Sequence, residues 1–250
     1  MQVSEWLIKS GISPSDTVMV HGNAAVSTLY TECAPEQRLT TLIRELIDYF
    51  SGGGTLVVPT FTYSFTKNQD FDVERSPSDV GQFSEAFRQT PGVHRTSHPL
   101  FSVGVIGSES DRYLSARLDD CFGLNTIFHN LYESNAVLIC LGCAFNLTFI
   151  HHIEQLYGVP YRFTKKFKGI ITRNGYSKMQ TTEYFVRDLS IRSESDLVLL
   201  RDRALQRREM VSGEIGRFTA QAIRATKLAA IAREMLNQDI YSLVAEYYNR

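Results

Sequence analysis

Residues 136–160 read AVLICLGCAFNLTFIHHIEQLYGVP. The first six are apolar without a break, which suits a strand covered on both faces of a sheet. CAFN makes a turn. From residue 147 a helix is expected to about 157, with Phe149, Ile150, Ile153, Leu156 and Tyr157 recurring on one side. Gly158 and Pro160 then stop it. A buried strand running through a turn into a helix is the repeating unit of a layered α/β fold. In an open α/β sheet, ligands bind beyond the carboxyl ends of the strands. His151 and Glu154 lie just past such an end. They are three residues apart, so they are neighbours on the polar side of the helix.

The flanking sequence repeats the pattern. TVMVH (17–21) and TLVVP (55–59) read as strands, and QRLTTLIRELIDYF (37–50) as an amphipathic helix between them. SGGG (51–54) ends that helix, because glycine accepts the left-handed cap conformation. Residues 83–88 read as helical and 101–107 as a strand. Further on, 169–173 and 183–189 read as strands, and 195–209 and 223–239 as helices. No linker or composition break divides the chain. The expectation is a single domain over 1–250, with about 164–250 able to form a smaller lobe of it.

Bulk properties narrow the function. The chain has 250 residues, 43% hydrophobic and 21% charged, with a formal net charge of −1. This is ordinary globular composition, with no overall charge to favour nucleic acid or a membrane surface. No run approaches the ~18 apolar residues of a membrane span. The first residues include Glu5 and Lys9 and lack the apolar core of a signal peptide, so a cytoplasmic protein is expected. Cys33, Cys121, Cys140 and Cys143 are too few for a disulfide scaffold. Cys140 and Cys143 form a C-x-x-C on an apolar strand, and without a second pair it reads as buried thiols rather than zinc ligands.

His151 and Glu154 admit three readings from the residues alone. They could be a solvated pair without function. They could be a general base oriented by a carboxylate. They could be zinc ligands with His152, although H-H-x-x-E is neither H-E-x-x-H nor H-x-x-E-H. Elsewhere, MVHGNAAVSTLY (19–30) leaves its strand through small residues that allow close backbone approach to a ligand. It lacks the G-x-x-x-x-G-K-[ST] and G-x-G-x-x-G patterns of nucleotide hydrolysis and dinucleotide chemistry. VPTFTYSF (58–65) is rich in hydroxyls and aromatics, and the long excursion over 71–102 suits a binding loop.

Taken in order, DTVMVHGNAAVS (16–27), GGGTLVVPTFTYSF (52–65), FDVERSPSDVGQFSEAFRQTPGVHRTSHPLFSVGVIG (71–107) and LGCAFNLTFIHHIEQ (141–155) resemble the aminoglycoside 3-N-acetyltransferase family. The likeness is good over 16–163 and loose beyond. It implies that family's layered α/β/α fold, with a central, mostly parallel sheet and a smaller C-terminal α+β portion. It also implies transfer of an acetyl group from acetyl-CoA to an amine of an amino sugar, with no metal. The commoner acetyltransferases carry a Q/R-x-x-G-x-G/A loop, which is absent here. The family's catalytic histidine and glutamate match His151 and Glu154. The cofactor would lie along His21, Gly22, Asn23, Ala24 and Ser27, and near Thr60, His98 and Ser102. Tyr63, Asp72, Asn125 and Arg162 are the candidate acceptor contacts. Where the family has H-S-S, this chain has His21-Gly22-Asn23. The proline of F-D-P is Val73, and His152 is an additional histidine.

In the mechanism this implies, the amine attacks the thioester directly and His151 takes its proton. Amides near Thr60 or hydroxyls of 60–64 would face the oxyanion. A covalent route through Cys143 is the rival within enzymes. The basic run Arg162, Lys165, Lys166, Lys168 would suit an anionic acceptor such as a nucleotide-linked amino sugar, against the polycationic aminoglycosides. The alternatives are a catalytically inactive CoA- or ligand-binding relative, and a zinc hydrolase built on His151, His152 and Glu154.

Overall fold

A computed structural model describes residues 2–245. The chain runs α1 (Val3–Lys9), β1 (Thr17–Gly22), α2 (Arg38–Phe50), β2 (Thr55–Pro59), β3 (Phe71–Asp72), α3 (Gln82–Arg88), β4 (His94–Arg95), β5 (Val103–Gly107), α4 (Ser110–Leu114), α5 (Ile127–Glu133), β6 (Val137–Leu141) and α6 (Ile150–Tyr157). It continues through β7 (Arg162–Arg173), β8 (Tyr176–Arg187), α7 (Val198–Gln206), β9 (Met210–Ile215), β10 (Phe218–Arg224) and α8 (Ala225–Gln238).

A seven-stranded sheet has the order β4-β5-β2-β1-β6-β10-β9. Its centre, β2-β1-β6, is parallel, and the strands on either side pair antiparallel. β2 and β6 are buried at every position, as their unbroken apolar runs require. One face carries Val18, Val20, Leu56, Val58, Val137 and Ile139, packed on α1, α2 and α3 through Trp6, Leu42, Ile43, Leu46, Phe83 and Phe87. The other carries Met19, Val57, Leu138 and Cys140, packed on α5, α6 and α8. The α/β/α layering is therefore dictated by period: residues two apart in a strand share a face, and each face needs a helix layer.

The C-terminal third departs from expectation. The segments at 169–173 and 183–189 are parts of one antiparallel hairpin with twelve residues per strand, registered from Arg162↔Arg187 to Arg173↔Tyr176. Asn174 and Gly175 both have positive φ, 51° and 79°. That is the two-residue turn whose twist matches paired strands, and Asn-Gly is its sequence signal. With β3 the hairpin forms a second, three-stranded sheet. The expected helix at 195–209 is shorter, at Val198–Gln206, and β9 and β10 follow as an antiparallel extension of the main sheet. The alternation in MVSGEI and FTAQAIR is interrupted by Gly213 and small residues, so their strand character is weak locally. Among the described residues, no helix is long and apolar enough to cross a membrane.

Candidate active site

The site begins where α6 ends. Gly158 adopts φ 77°, and the amides of Gly158 and Val159 both donate to the carbonyl of Glu154. This left-handed stop satisfies carbonyls that the helix end would leave open. It also turns the chain back, so that Tyr161 and Arg162 return to the side chain of Glu154. His151 Nδ1 lies 2.6 Å from Glu154 Oε2. Arg162 Nε lies 2.7 Å from the same oxygen, as a charge contact rather than an aligned hydrogen bond. Tyr161 donates its hydroxyl to Oε1 at 3.0 Å.

The polar side of α6 is therefore not a wet surface. Glu154 and His152 are fully buried, while Leu156 and Tyr157, expected on the packed side, are exposed. The hairpin and the loop at 120–123 cover what helical periodicity alone assigns to solvent. Burial of Glu154 disfavours its charge, but His151, Arg162 and Tyr161 outweigh that and hold its carboxyl below the usual range. Burial pushes His151 below its ordinary value, against the pull of Glu154. At neutral pH the ring is thus uncharged, with the proton on Nδ1 facing the carboxylate. No described residue bonds Nε2.

His151 and Arg162 line a cavity of about 840 Å³. Its wall is one face of the hairpin, bearing Phe163, Lys165, Phe167, Tyr184 and Val186, opposed by Asp188, Leu189, Ser190, Glu194, Ser195 and Asn146. Side chains alternate along β7. Lys165 shares the cavity face, its Nζ 5.3 Å from the Phe167 ring centroid. Lys166 and Lys168 point to the other face, where Lys166 pairs with Glu183 at 3.3 Å. Arg187 pairs with Glu194 at 2.9 Å. The basic run expected to rim an anionic ligand is divided between two faces, and the cavity is mixed in charge.

None of the predicted cofactor-binding residues lines this cavity, nor do Tyr63, Asp72 and Asn125. His98 accepts from the amides of Leu100 and Phe101 through Nδ1 and bonds the Asp120 carbonyl through Nε2. Burial holds its pKa down to about 4. Thr60 and Ser102 are fully buried around Arg95. That guanidinium donates to Thr60 Oγ1, Ser102 Oγ and the carbonyls of Thr60, Val73 and Ser76, and stacks on Phe71. The R-T-S-H-P segment is thus a knot that fixes the 60–64 and 71–76 loops. Most amides near Thr60, one of the two groups expected to face the oxyanion, are taken up within the fold. Thr60, Thr62, Tyr63 and Ser64 all donate to carbonyls of 99–102.

In the first loop, Asn23 caps the short 3-10 helix Ala24–Leu29 by accepting from Ala25 N, and donates to Gly142 O. A Cβ on Gly22 would sit 2.5 Å from the Phe83 ring, which occupies the space a serine would need. Ser27 is buried, and His21 is half-buried with its Nε2 unpartnered. Cys143 donates its thiol to His21 O at 3.2 Å. Tyr63 is packed against Phe61 and Phe101, Asp72 accepts from Glu74 N and Arg75 N, and Asn125 is exposed at φ 61°. His152 bonds the Phe122 carbonyl through Nδ1 and packs against His129 and Phe149. His151, His152 and Glu154 do not converge. Among the described residues no cluster of three or more His, Cys, Asp or Glu is placed to hold a metal. Tyr161 is the site residue that sequence reasoning missed; its only signal was its place directly after the Gly-Val-Pro stop.

Comparison with known proteins places the chain and its fold among described relatives. The family model for aminoglycoside 3-N-acetyltransferase matches residues 19–237. Aminoglycoside N(3)-acetyltransferase IV from Salmonella sp. is 26% identical over 243 residues, covering 93% of this chain and 85% of that protein. The structure of AAC-IIIb in binary complex with CoASH superposes with a TM-score of 0.79 at 21% identity, over 94% of both chains. A mutant of AAC(3)-IVa in complex with apramycin superposes with a TM-score of 0.75 at 22% identity, over 97% of this chain and 94% of that one.

Proposed function

This chain belongs to the aminoglycoside 3-N-acetyltransferase family and is an N-acetyltransferase, and on that premise we propose that it acetylates an amine of an amino sugar with His151 as general base. The observation that carries this reading is the His151–Glu154 contact at 2.6 Å, with Nε2 left open on a cavity wall. The relatives supply the two substrates by analogy: one is named for aminoglycoside acetylation and another was solved with CoASH.

The residues present fit such a pair of substrates. Phe163, Phe167 and Tyr184 offer apolar surface for a thioester arm, and Lys165 offers a charge for phosphate. The side chains of Asn146 and Lys165 are donors on the wall that make no hydrogen bond to another described residue. Acetyl-CoA brings the activated acyl group. His151 Nε2 takes the proton that the attacking amine gives up, and Glu154 offsets the imidazolium charge as it forms. The proton then passes to the departing thiolate. No protein nucleophile enters.

Of the basic run, Arg162 and Lys165 line the cavity, but Arg162 is paired with Glu154, and Asp188 and Glu194 stand on the opposite wall, so nothing here favours an anionic acceptor over a cationic one. A cytoplasmic location belongs to the same reading, supported by four cysteines that form no disulfide.

The test is thiol release from acetyl-CoA over a panel of aminoglycosides and nucleotide-linked amino sugars. Turnover with one class is expected, and His151→Ala should cut kcat about 10²- to 10⁴-fold. Glu154→Gln should cut it less. Undiminished turnover in His151→Ala would overturn the reading, as would a folded, CoA-binding wild type that acetylates nothing.

A further inference from the structure

We infer that Arg162, rather than touching the acceptor, is a positioning residue that keeps the proton off the His151–Glu154 pair. This rests on the proposed role of His151 as base. Glu154 is fully buried, and its two oxygens meet three groups: His151 Nδ1 and Arg162 Nε share Oε2, and Tyr161 holds Oε1. The Arg162 side chain is 4% exposed, and its Nη2 goes on to Ser195 Oγ at 3.1 Å. Its guanidinium is thus engaged at the junction of α6, β7 and the segment before α7, and although Arg162 forms part of the cavity wall, little of its side chain is exposed there.

A buried carboxylate needs a counter-charge. When His151 is neutral and ready to act as base, Arg162 is the one cation among the described residues in contact with Glu154. Take that cation away, and the pair draws a proton from water. The proton has two places to go. On the ring, it occupies Nε2 and makes the imidazolium. On Glu154, it donates to Nδ1, which moves the ring's own proton to Nε2. Either way the Nε2 lone pair that must accept the amine proton is gone. Arg162 therefore favours the one state of the pair that can work as a base at neutral pH.

The other charged or titratable groups around the pair do not replace it. Tyr161 donates a hydroxyl and is neutral, with its pKa raised by burial. Tyr184, from β8, is likewise raised. Asp239 lies behind Tyr161 and Tyr241 stacks on it. At the cavity rim, Arg187 is paired with Glu194, Lys165 is exposed and Asp188 is half-buried.

The experiment is a pH titration of the histidine ring nitrogens by 15N NMR on the apo chain. His151 is assigned by its loss in His151→Asn. Wild type should show a neutral ring protonated at Nδ1 at pH 7, with its midpoint below about 6.5. Arg162→Gln should raise the midpoint by about one unit, and Arg162→Lys should recover most of the shift. The acid limb of kcat should move with the NMR midpoint. An unchanged His151 titration in folded Arg162→Gln would overturn the inference. So would a wild-type midpoint above about 7, which needs no variant to fold. Because the titration is read without turnover, a wild type that titrates as stated but acetylates nothing would sink the function and leave the inference standing.

Discussion

His151 and His152 are consecutive in the chain and opposite in the fold. The first turns its ring to Glu154 and a cavity, while the second buries its ring completely with Nδ1 on the carbonyl of Phe122. About 100° of helix rotation separates them, and that rotation divides chemistry from packing. His152 has its unprotonated Nε2 buried without a partner. A second proton would therefore be buried with no acceptor, and the ring's pKa falls to about 4.

Stability should fall as the pH is lowered through this range. His98 and His152 are both buried with values near 4, against about 6.5 in the unfolded chain. The unfolded state then binds protons that the native state refuses, so each ring contributes stability that is fully present above about 6.5 and drains away toward 4. The slope should approach about 1 kcal/mol per pH unit for each ring. Urea midpoints at several pH values between 7.5 and 5 read it directly, and a flat profile would contradict the assignment.

Arg95→Met should destabilise the fold without touching the His151 pair. It strips a donor from the carbonyls of Val73 and Ser76 and leaves Thr60 O with the Ser102 hydroxyl alone. Each unsatisfied group costs about 1–3 kcal/mol, so a loss of roughly 3 kcal/mol or more is expected in urea denaturation. The His151 ring titration should stay where it is in the fraction that remains folded.

The division of the basic run makes a paired prediction. Lys165→Ala should raise the KM of one substrate about two- to fivefold, the scale of an exposed charge contact. Lys168→Ala, on the other face of the hairpin, should leave both KM values alone. A larger effect at Lys168 would mean that substrates use the opposite face.

Cys143→Ala should retain activity. The thiol is spent on the His21 carbonyl, and Cys143 lines an adjoining depression that shares Asn146 and Ser195 with the His151 cavity, without lining that cavity itself. Loss of turnover, together with an acetylated Cys143 detected by mass spectrometry, would revive a covalent route.

Much of the molecule could be read in advance. Unbroken apolar runs at 56–58 and 136–141 placed the central strands. The helical spacing of Leu42, Ile43, Leu46 and Phe50 placed α2 against them, because each of these signals is local and periodic. The strand-turn-helix at 136–157 put His151 and Glu154 three residues apart, at the carboxyl end of a central strand. Their pairing follows from helix geometry alone.

What the sequence could not decide is what covers that pair. The hairpin of β7 and β8 is held by long-range pairing with β3 and by an Asn-Gly turn, and its alternation is obscured by the lysines and threonines it carries. Only when it folds back does Arg162 meet Glu154, Lys165 part from Lys166 and Lys168, and the polar side of α6 become interior. Likewise, Thr60, His98 and Ser102 look like cofactor-binding residues in the sequence, and become parts of a hydrogen-bonded knot beside the buried Arg95 once the loops at 60–64 and 71–76 close on it. Local periodicity fixes which residues can be neighbours along one element. Burial, and with it the protonation of His151 and Glu154, depends on which distant segment arrives to exclude water.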